Sequence, residues 1–271
     1  MTNSLGFRDQ EHSIVKSPGT YRIIILGDSI ASGLKISSYL KTFPYLLSQK
    51  MNNQKKAIEV INFGVSGYNT KQEVAILEDK GLLYNPNLIL LSYCLNDRER
   101  DDGEIYLTLL KQEKNSLPIN INHFRIIPFL KHSALYRFLR YKIFFNLQKK
   151  ELSNKQQKEY LALCQDTVTE SFKQLSTLAK QNDFQVLIVV FPLFENLSSY
   201  NYYNDHQYIK RLASTHQFYF LDLLPTFQKV VKTSLIPLSS DIYHPTAAGH
   251  RYASIAMANF IQQTIPPFSE N

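Results

Sequence analysis

Five short apolar runs alternate with longer segments of helical character, and this alternation limits the fold more than any other feature of the sequence. The runs cover residues 21–26, 58–63, 88–93, 185–191 and 218–221. Most are rich in Ile, Val, Leu or Phe without regular polar alternation, which is typical of parallel strands buried on both faces. The pattern predicts an α/β fold, a three-layer α/β/α sandwich around a mainly parallel five-stranded sheet.

Two of the intervening segments have the periodicity of amphipathic helices. In residues 160–180 the apolar positions recur three or four apart, at Leu161, Cys164, Val168, Phe172, Leu175 and Ala179. This stripe is expected to pack on the sheet. The last helix is predicted to begin after an N-cap at Thr246 and to end before Pro266 and Pro267.

A chain of 271 residues, 44% of them apolar, is long enough to bury one large core. The stretch between the third and fourth predicted strands is longer than a crossover requires. We therefore predict a single domain over residues 1–271, with a helical insertion at about 98–158. Within it, residues 134–150 interleave aromatic and basic side chains, which indicates either a lid or membrane-surface contact, or a helix packing its rings on the domain.

The charge pattern argues against a nucleic-acid partner. The net charge is +7, but Lys and Arg are dispersed, and no zinc-finger, RNP-like or Lys/Arg-rich block accompanies them. The basic segment 134–150 leaves peripheral membrane contact open, and the sequence indicates no oligomeric state. No secretory signal is recognisable at the amino terminus, which favours a cytoplasmic protein, or an exported one if a leader has been removed.

Cysteine and histidine spacing predicts no metal site. Cys94 and Cys164 are not at metal-ligand spacing, and we expect both to be reduced and structural. His250 follows His244 by six residues, but with Asp241 it makes an incomplete ligand set. We therefore predict an exposed polar role for His250 in the last helix.

The first apolar run ends in Gly27-Asp28-Ser29, which places a serine just beyond the carboxyl end of a strand. In open parallel sheets this edge is where ligands bind. A helix beginning after Ser29 would also point backbone N–H groups and its positive dipole end at an anion formed there. Strand-to-helix turns of this composition also occur without function, so the triplet alone is ambiguous.

A catalytic serine needs a base within hydrogen-bond reach, and that base needs a third group to orient it. The sequence Asp-Ile-Tyr-His-Pro at residues 241–245 supplies both groups. The carboxylate of Asp241 can accept from one imidazole nitrogen of His244 while the other nitrogen faces Ser29. The spacing D-x-x-H is common by chance, so this pair is also ambiguous alone.

Two further segments follow predicted strands at the same edge and offer hydrogen-bond donors. After the second strand, Gly67 permits close backbone approach and offers an N–H group. After the third strand, Asn96 offers a side-chain amide, and donors of these kinds stabilise the oxyanion of acyl transfer. Taken singly, Gly67 is also consistent with a turn glycine, and Asn96 with a helix cap.

In combination, these four segments resemble the sequence blocks of the SGNH (GDSL-like) hydrolase superfamily, which supply serine, glycine, asparagine and histidine in that order. Here the blocks are 27–29, 62–67, 96–97 and 241–244, and the resemblance spans about residues 20–249. The third block departs from the family pattern at Cys94, where glycine is usual. Residues 3–10 also resemble the lead-in of bacterial members linked to surface carbohydrates.

The resemblance implies a flavodoxin-like sheet order, 2-1-3-4-5, and a serine esterase that works through an acyl-enzyme. Ser29 would be the nucleophile, His244 its base, and Asp241 the residue that orients the base. No cofactor is implied.

The resemblance also implies an oxyanion hole. It would combine the backbone N–H groups of Ser29 and Gly67 with the side chain of Asn96, with Asp28 and Asp97 as supporting residues.

The expected substrate is a small-molecule or glycan ester, such as a carbohydrate O-acetyl group. Lysophospholipid or thioester hydrolysis, and acyl transfer by the same residues, are alternatives. A non-catalytic carbohydrate-binding or interaction module is the alternative of another class.

Overall fold

The computed structural model describes residues 2–52, 57–95, 154–233 and 236–269, with the backbone alone described for 154–166. The chain divides into two compact units, Met1–Arg98 with Thr167–Asn271, and Glu99–Asp166. The insertion predicted at about 98–158 lies outside the described residues, except for the backbone of 154–158. The single domain, the insertion and the amphipathic segment 134–150 therefore stay predictions.

Five strands form one parallel sheet in the first unit. They are β1 Tyr21–Gly27, β2 Ile58–Asn62, β3 Leu88–Tyr93, β4 Gln185–Val190 and β5 Tyr219–Asp222. Their order is β2-β1-β3-β4-β5, and each neighbouring pair is parallel. The predicted α/β fold and flavodoxin-like order are thus confirmed. Every residue of β1 and β3 is buried, which explains why these runs lack polar alternation.

Seven α-helices are described. They are α1 Ser29–Ser32, α2 Phe43–Met51, α3 Thr70–Asp79, α4 Asn154–Asn182, α5 Tyr203–Thr215, α6 Leu224–Thr233 and α7 Ala247–Thr264. The chain moves from β1 to β2 in one direction and from β2 to β3 in the other. Right-handed crossovers therefore place α2 and α3 on opposite faces of the sheet. On its own face, α2 packs against α7.

The two helices predicted from periodicity are present. In α4, Val168, Phe172 and Leu175 are fully buried, as the apolar stripe predicts, while the side chains of Leu161 and Cys164 lie outside the described residues. The helix begins six residues before the predicted start, because residues 155–159 are Lys, Gln and Glu, which favour helix but show no apolar periodicity. The N-cap of α7 is confirmed: the hydroxyl of Thr246 accepts from the Gly249 N–H.

A buried ionic cluster ties the N-terminal segment to the sheet. Arg22 of β1 donates to the carboxylate of Glu59 on β2 at 2.7 Å and to two backbone carbonyls of the N-terminal segment. His12 is hydrogen-bonded to Glu59 at 2.8 Å and to Asp9 at 3.2 Å. Burial acts to lower the pKa of His12, but these two acidic partners outweigh it and raise the pKa. The segment is therefore held by charge as well as by packing.

No described helix combines the length and the apolarity needed to span a bilayer.

Candidate active site

The predicted nucleophile lies where the sequence places it, at the carboxyl end of β1. Gly27 ends the strand in a position too crowded for a side chain: an added Cβ would lie 2.7 Å from the Cβ of Ala31 and 3.0 Å from that of Ser92. The close approach allows α1 to begin at Ser29 directly above the sheet. Since α1 has only four residues, individual N–H groups matter here more than the dipole expected from the sequence.

Asp28 fixes the start of α1. It is the N-cap residue, and its carboxylate accepts from the Ile30 N–H at 2.8 Å. The same carboxylate lies 3.2 Å from the Ser29 hydroxyl, to which it is an acceptor. Asp28 therefore restrains both the backbone and the side chain of Ser29, while its supporting role in catalysis stays a prediction.

His244 lies on a narrow loop that leads directly into α7. Ser239 and Pro245 form an antiparallel bridge, and the Ser240 N–H donates to the His244 carbonyl at 2.8 Å. Gly249, in the first turn of α7, is pressed against the start of the loop, since an added Cβ would lie 2.3 Å from the Leu238 carbonyl oxygen. The position of His244 therefore depends on close docking of α7 against its own loop.

Three of the predicted residues meet in one hydrogen-bonded chain. The Nε2 atom of His244 lies 2.9 Å from the Oγ of Ser29, and its Nδ1 lies 2.8 and 2.9 Å from the two carboxylate oxygens of Asp241. Because an ionised carboxylate only accepts, His244 carries a proton on Nδ1. In the neutral imidazole, Nε2 is then the acceptor for the Ser29 hydroxyl. It lies 2.9 Å from Oγ, closer than the Asp28 carboxylate oxygen at 3.2 Å.

Asp241 is surrounded by hydrogen-bond donors. Its Oδ1 atom accepts the backbone N–H groups of Tyr243 and His244 at 2.8 and 2.7 Å, and its Oδ2 atom accepts from the ammonium group of Lys35. Burial acts to raise the pKa of Asp241. The hydrogen bonds from Lys35, His244 and the two amides outweigh it and hold the pKa well below its usual range. Asp241 is therefore ionised at neutral pH.

The loop that carries Gly67 lies beside α1. The Val65 N–H donates to the Gly27 carbonyl at 2.9 Å, and the hydroxyls of Ser32 and Ser66 are 2.8 Å apart. Gly67 is exposed and has a φ of +84°, in the left-handed region that favours glycine. Its place in the oxyanion hole stays a prediction. Asn96 and Asp97 lie outside the described residues, so their roles also stay predictions.

Near Asp28, a second acidic side chain is buried. Glu73 of α3 is 1% exposed, and within the described part of the chain neither of its carboxyl oxygens has a hydrogen-bond partner. Burial, with the nearby charge of Asp28, raises the pKa of Glu73 well above its usual range. Burial and the neighbouring Asp28 carboxylate therefore both favour the neutral form of Glu73.

The prediction for His250 is wrong. Its ring is buried, its Nδ1 accepts the Phe43 N–H at 3.0 Å, and it stacks on the Phe43 ring. This contact satisfies the first amide of α2, which explains why an imidazole lies between α2 and α7. Burial lowers the pKa of His250 to about 3, so the ring is neutral at pH 7.

Within the described residues, no cluster of His, Cys, Asp or Glu could hold a metal ion. Cys94 is buried and reduced. The side chain of Cys164 is outside the described residues.

Residues 25–252 match the GDSL-like lipase/acylhydrolase family, which is well over half of the chain. The chain belongs to this family. It is thus a GDSL-like acylhydrolase, of a class that acts on ester bonds. Comparison with curated protein sequences finds no significant match.

Solved structures similar to this acylhydrolase include carbohydrate esterases. A two-domain esterase active on acetylated mannans, co-crystallised with mannopentaose, is 14% identical with a TM-score of 0.56. The match covers 93% of this chain and 50% of that one, so this chain spans about half the length of that relative. At such identity the likeness shows the fold alone.

Two further structures, matched over nearly their whole length, also share the fold of this chain. A catalytic mutant of an acetylxylan esterase from Geobacillus stearothermophilus is 15% identical with a TM-score of 0.54, and the match covers 91% of this chain and 95% of that one. An acetyl xylan esterase, also 15% identical with a TM-score of 0.54, matches over 89% of this chain and 99% of that one.

Sequence reasoning missed one residue at the acylhydrolase site. Lys35 contacts Asp241 across 206 positions of sequence. A lysine six residues after the serine carries no signal that would link it to an aspartate near the other end of the chain.

Proposed function

We propose that this acylhydrolase is a serine esterase that removes short acyl groups, such as O-acetyl groups, from a carbohydrate through an acyl-enzyme. The observation that supports the chemistry is the chain of contacts from Ser29 through His244 to Asp241, with each polar contact at 2.8 to 2.9 Å. An alcohol, a base and an ionised orienting group in this order are what nucleophilic acyl transfer requires.

In the first half of the reaction, Nε2 of His244 takes the hydroxyl proton as Oγ of Ser29 bonds to the ester carbon. The carbonyl π electrons move to oxygen, and the oxyanion is assigned to the N–H groups of Ser29 and Gly67 and the amide of Asn96. When the carbonyl re-forms, the C–O bond to the alcohol breaks, and His244 returns its proton to the leaving oxygen.

In the second half, water replaces the alcohol. His244 removes a proton from the water as its oxygen attacks the acyl carbon, and the collapse of the second intermediate releases the carboxylic acid and restores the Ser29 hydroxyl. Asp241 stays ionised throughout and stabilises the imidazolium that forms in each half. No cofactor enters either step.

The carbohydrate substrate is supported by likeness to the esterases named above, which act on acetylated mannans or acetylxylan. Because these relatives share only 14 to 15% identity with this chain, the substrate class is the less strongly supported part of the proposal.

The test compares hydrolysis of p-nitrophenyl acetate, butyrate and decanoate, acetylated xylo- and manno-oligosaccharides, and lysophosphatidylcholine. Wild type is expected to favour acetyl esters and to release acetate from at least one acetylated oligosaccharide. Ser29→Ala should reduce turnover to about the uncatalysed rate and abolish labelling by a fluorophosphonate. Ser48→Ala, which removes a hydroxyl that only donates to the Tyr45 carbonyl within α2, should keep both activities.

Each alternative has its own outcome. Preference for decanoate or lysophosphatidylcholine would support a lipid acylhydrolase, and acetyl transfer to an added sugar in place of water would support a transferase. Turnover that is independent of Ser29, or the absence of both turnover and labelling, would overturn the serine mechanism and favour a binding module.

A further inference from the structure

Lys35 occupies a turn whose backbone favours glycine. Its φ is +66°, in the left-handed region, and it closely follows Gly33, whose φ is +70°. A lysine in this conformation is strained and persists only where its surroundings fix it. The turn is therefore held in shape by something other than the preference of Lys35 itself.

The guanidinium group of Arg8 supplies that restraint. It donates to the carbonyl of Ser32 at 3.2 Å and also to the carbonyls of Gly33 and Ile36. Three acceptors on one turn leave the backbone little freedom. The N-terminal segment thus holds the turn that presents Lys35.

The ammonium group of Lys35 contacts the same carboxylate as the imidazole of His244. It donates to the Oδ2 atom of Asp241, the oxygen that also accepts from Nδ1 of His244 at 2.8 Å. One carboxylate oxygen therefore serves a cation and the base together. The positive charge of Lys35 offsets part of the negative charge of Asp241. The carboxylate therefore stabilises a proton on His244 less than it would alone.

We propose that Lys35 is a positioning residue of the triad: its ammonium fixes the Asp241 carboxylate and weakens His244 as a base. The proposal rests on the esterase function proposed above. It has two consequences, one for the geometry of Asp241 and one for the pH range in which His244 is neutral and able to accept the Ser29 proton.

The groups around the imidazole determine the direction of the pH effect. Its own loop contributes the negative charge of Asp241, the β1 end contributes Asp28, and the turn after α1 contributes Lys35. From α7, His250 is neutral, because burial lowers its pKa to about 3, and the nearby positive charge of Arg8 acts in the same direction. Glu73, near Asp28, has a raised pKa that favours its neutral form. Loss of Lys35 leaves His244 facing two carboxylates with less positive charge nearby. The imidazolium is then favoured, and the acidic limb of activity moves to higher pH.

Exposure limits the size of the effect. The side chain of Lys35 is 50% exposed and that of Asp241 is 30% exposed, so water and salt screen the pair. We expect the acidic limb of activity to move to higher pH when the ammonium is removed, and this movement to shrink at 1 M salt. Loss of the donor that holds Asp241 should also lower kcat by about three- to tenfold with little change in KM.

Lys35→Asn is the most informative variant, because asparagine tolerates a left-handed φ better than most residues and carries no charge. Lys35→Arg keeps the charge. Lys41→Asn is the matched control, since it removes an equal charge from an exposed lysine six residues further on, outside the four donors that hold Asp241.

Two readouts are used on the full chain. The first is NMR titration of the histidine rings, with the His244 signal assigned by its loss in His244→Gln. The second is the pH profile of kcat/KM for p-nitrophenyl acetate, a neutral ester whose binding does not depend on a lysine. Both midpoints should rise in Lys35→Asn, stay near the wild-type value in Lys35→Arg, and be unchanged in Lys41→Asn.

Unchanged midpoints in a folded Lys35→Asn, or an equal rise in Lys41→Asn, would overturn the role of Lys35. So would a fall in kcat without any movement of the midpoints, which would indicate a structural role only. The NMR titration requires no turnover, so it tests Lys35 even if the esterase proposal fails. Failure of the esterase proposal is recognised separately, because wild type would then show no hydrolysis that depends on Ser29.

Discussion

Among the described residues, two Asp–His–hydroxyl chains can be compared, and they differ in their surroundings more than in their geometry. One joins Ser29, His244 and Asp241. The other joins Tyr200, His206 and Asp222, with the Tyr200 hydroxyl 2.9 Å from Nε2 of His206, and Nδ1 2.9 Å from the Asp222 carboxylate. By distances alone the two chains are equivalent.

In the second chain, the hydroxyl and the carboxylate each accept a further hydrogen bond from the backbone. The Tyr200 oxygen accepts the Leu193 N–H at 3.0 Å, Asp222 accepts the Leu224 N–H at 2.9 Å, and the side chain of His206 is fully buried. Burial raises the pKa of Tyr200 well above its usual range, so its hydroxyl stays protonated. The imidazole of His244, by contrast, is 15% exposed. Access to the imidazole, more than the spacing of the three groups, distinguishes the first chain from the second.

Exchange of each histidine for glutamine should separate the two roles and give the largest effect. His244→Gln removes the base of Ser29 and is expected to lower kcat/KM for p-nitrophenyl acetate by on the order of 10⁵-fold, with little change in urea stability. His206→Gln breaks a buried pair and should lower the free energy of unfolding by about 3 kcal/mol. Its kcat/KM should stay within about tenfold of wild type. A comparable loss of activity in both variants would mean that the second chain takes part in the chemistry.

A third histidine, His250, extends the comparison. Its described hydrogen bond comes from the backbone amide of Phe43, whereas His244 and His206 are each bonded to an aspartate. The pKa of His250 is lowered, so the folded protein leaves it neutral while the unfolded chain takes up a proton below its ordinary value of 6.5. Stability should therefore fall as the pH falls, by about 1.4 kcal/mol for each unit between roughly 6 and 4. His250→Asn, which keeps an acceptor for Phe43, should lose less stability over that range in urea titrations. Parallel pH curves for the two proteins would contradict the neutral assignment.

The smallest effect is expected from Tyr200→Phe. This change leaves the Leu193 N–H and the His206 Nε2 without the hydroxyl between them, which should cost about 1 to 3 kcal/mol of unfolding free energy. The adjoining Phe194 N–H donates to the Ile242 carbonyl at 2.7 Å, within the loop that carries His244. A decrease in kcat/KM of a few-fold is expected through this contact, measured at 25 °C where the variant stays folded. A loss as large as that in His244→Gln would show that the comparison is wrong.

The sheet was predictable because buried parallel strands have a distinctive composition, whereas its order was predicted from the resemblance to the SGNH hydrolases. That resemblance, together with the convergence of loops at one sheet edge, also predicted that Ser29, Asp241 and His244 lie together. Strand and helix ends were less predictable: β5 begins one residue later than its apolar run.

The contacts that sequence reasoning missed are all long-range and involve polar residues without periodicity. The contact of Lys35 with Asp241 is not predictable from the sequence, because the two residues are 206 positions apart. His250 was expected to be exposed, although the amide that it caps belongs to α2, which is 207 positions distant. No local pattern marks a polar side chain whose partner is another element's backbone, so burial of such residues follows only from tertiary packing.

Arg8 donates hydrogen bonds to the turn after α1, and this turn carries Lys35, which contacts Asp241. The arrangement of the triad therefore depends on a segment that contributes no reacting atom. Segments packed outside a sheet open at lower free energy than the buried sheet itself. On heating, hydrolysis should therefore decline while the circular dichroism of the core is still native, and cooling should restore it. Thermal inactivation in this enzyme would then begin as a local, reversible release of the segment that carries Arg8.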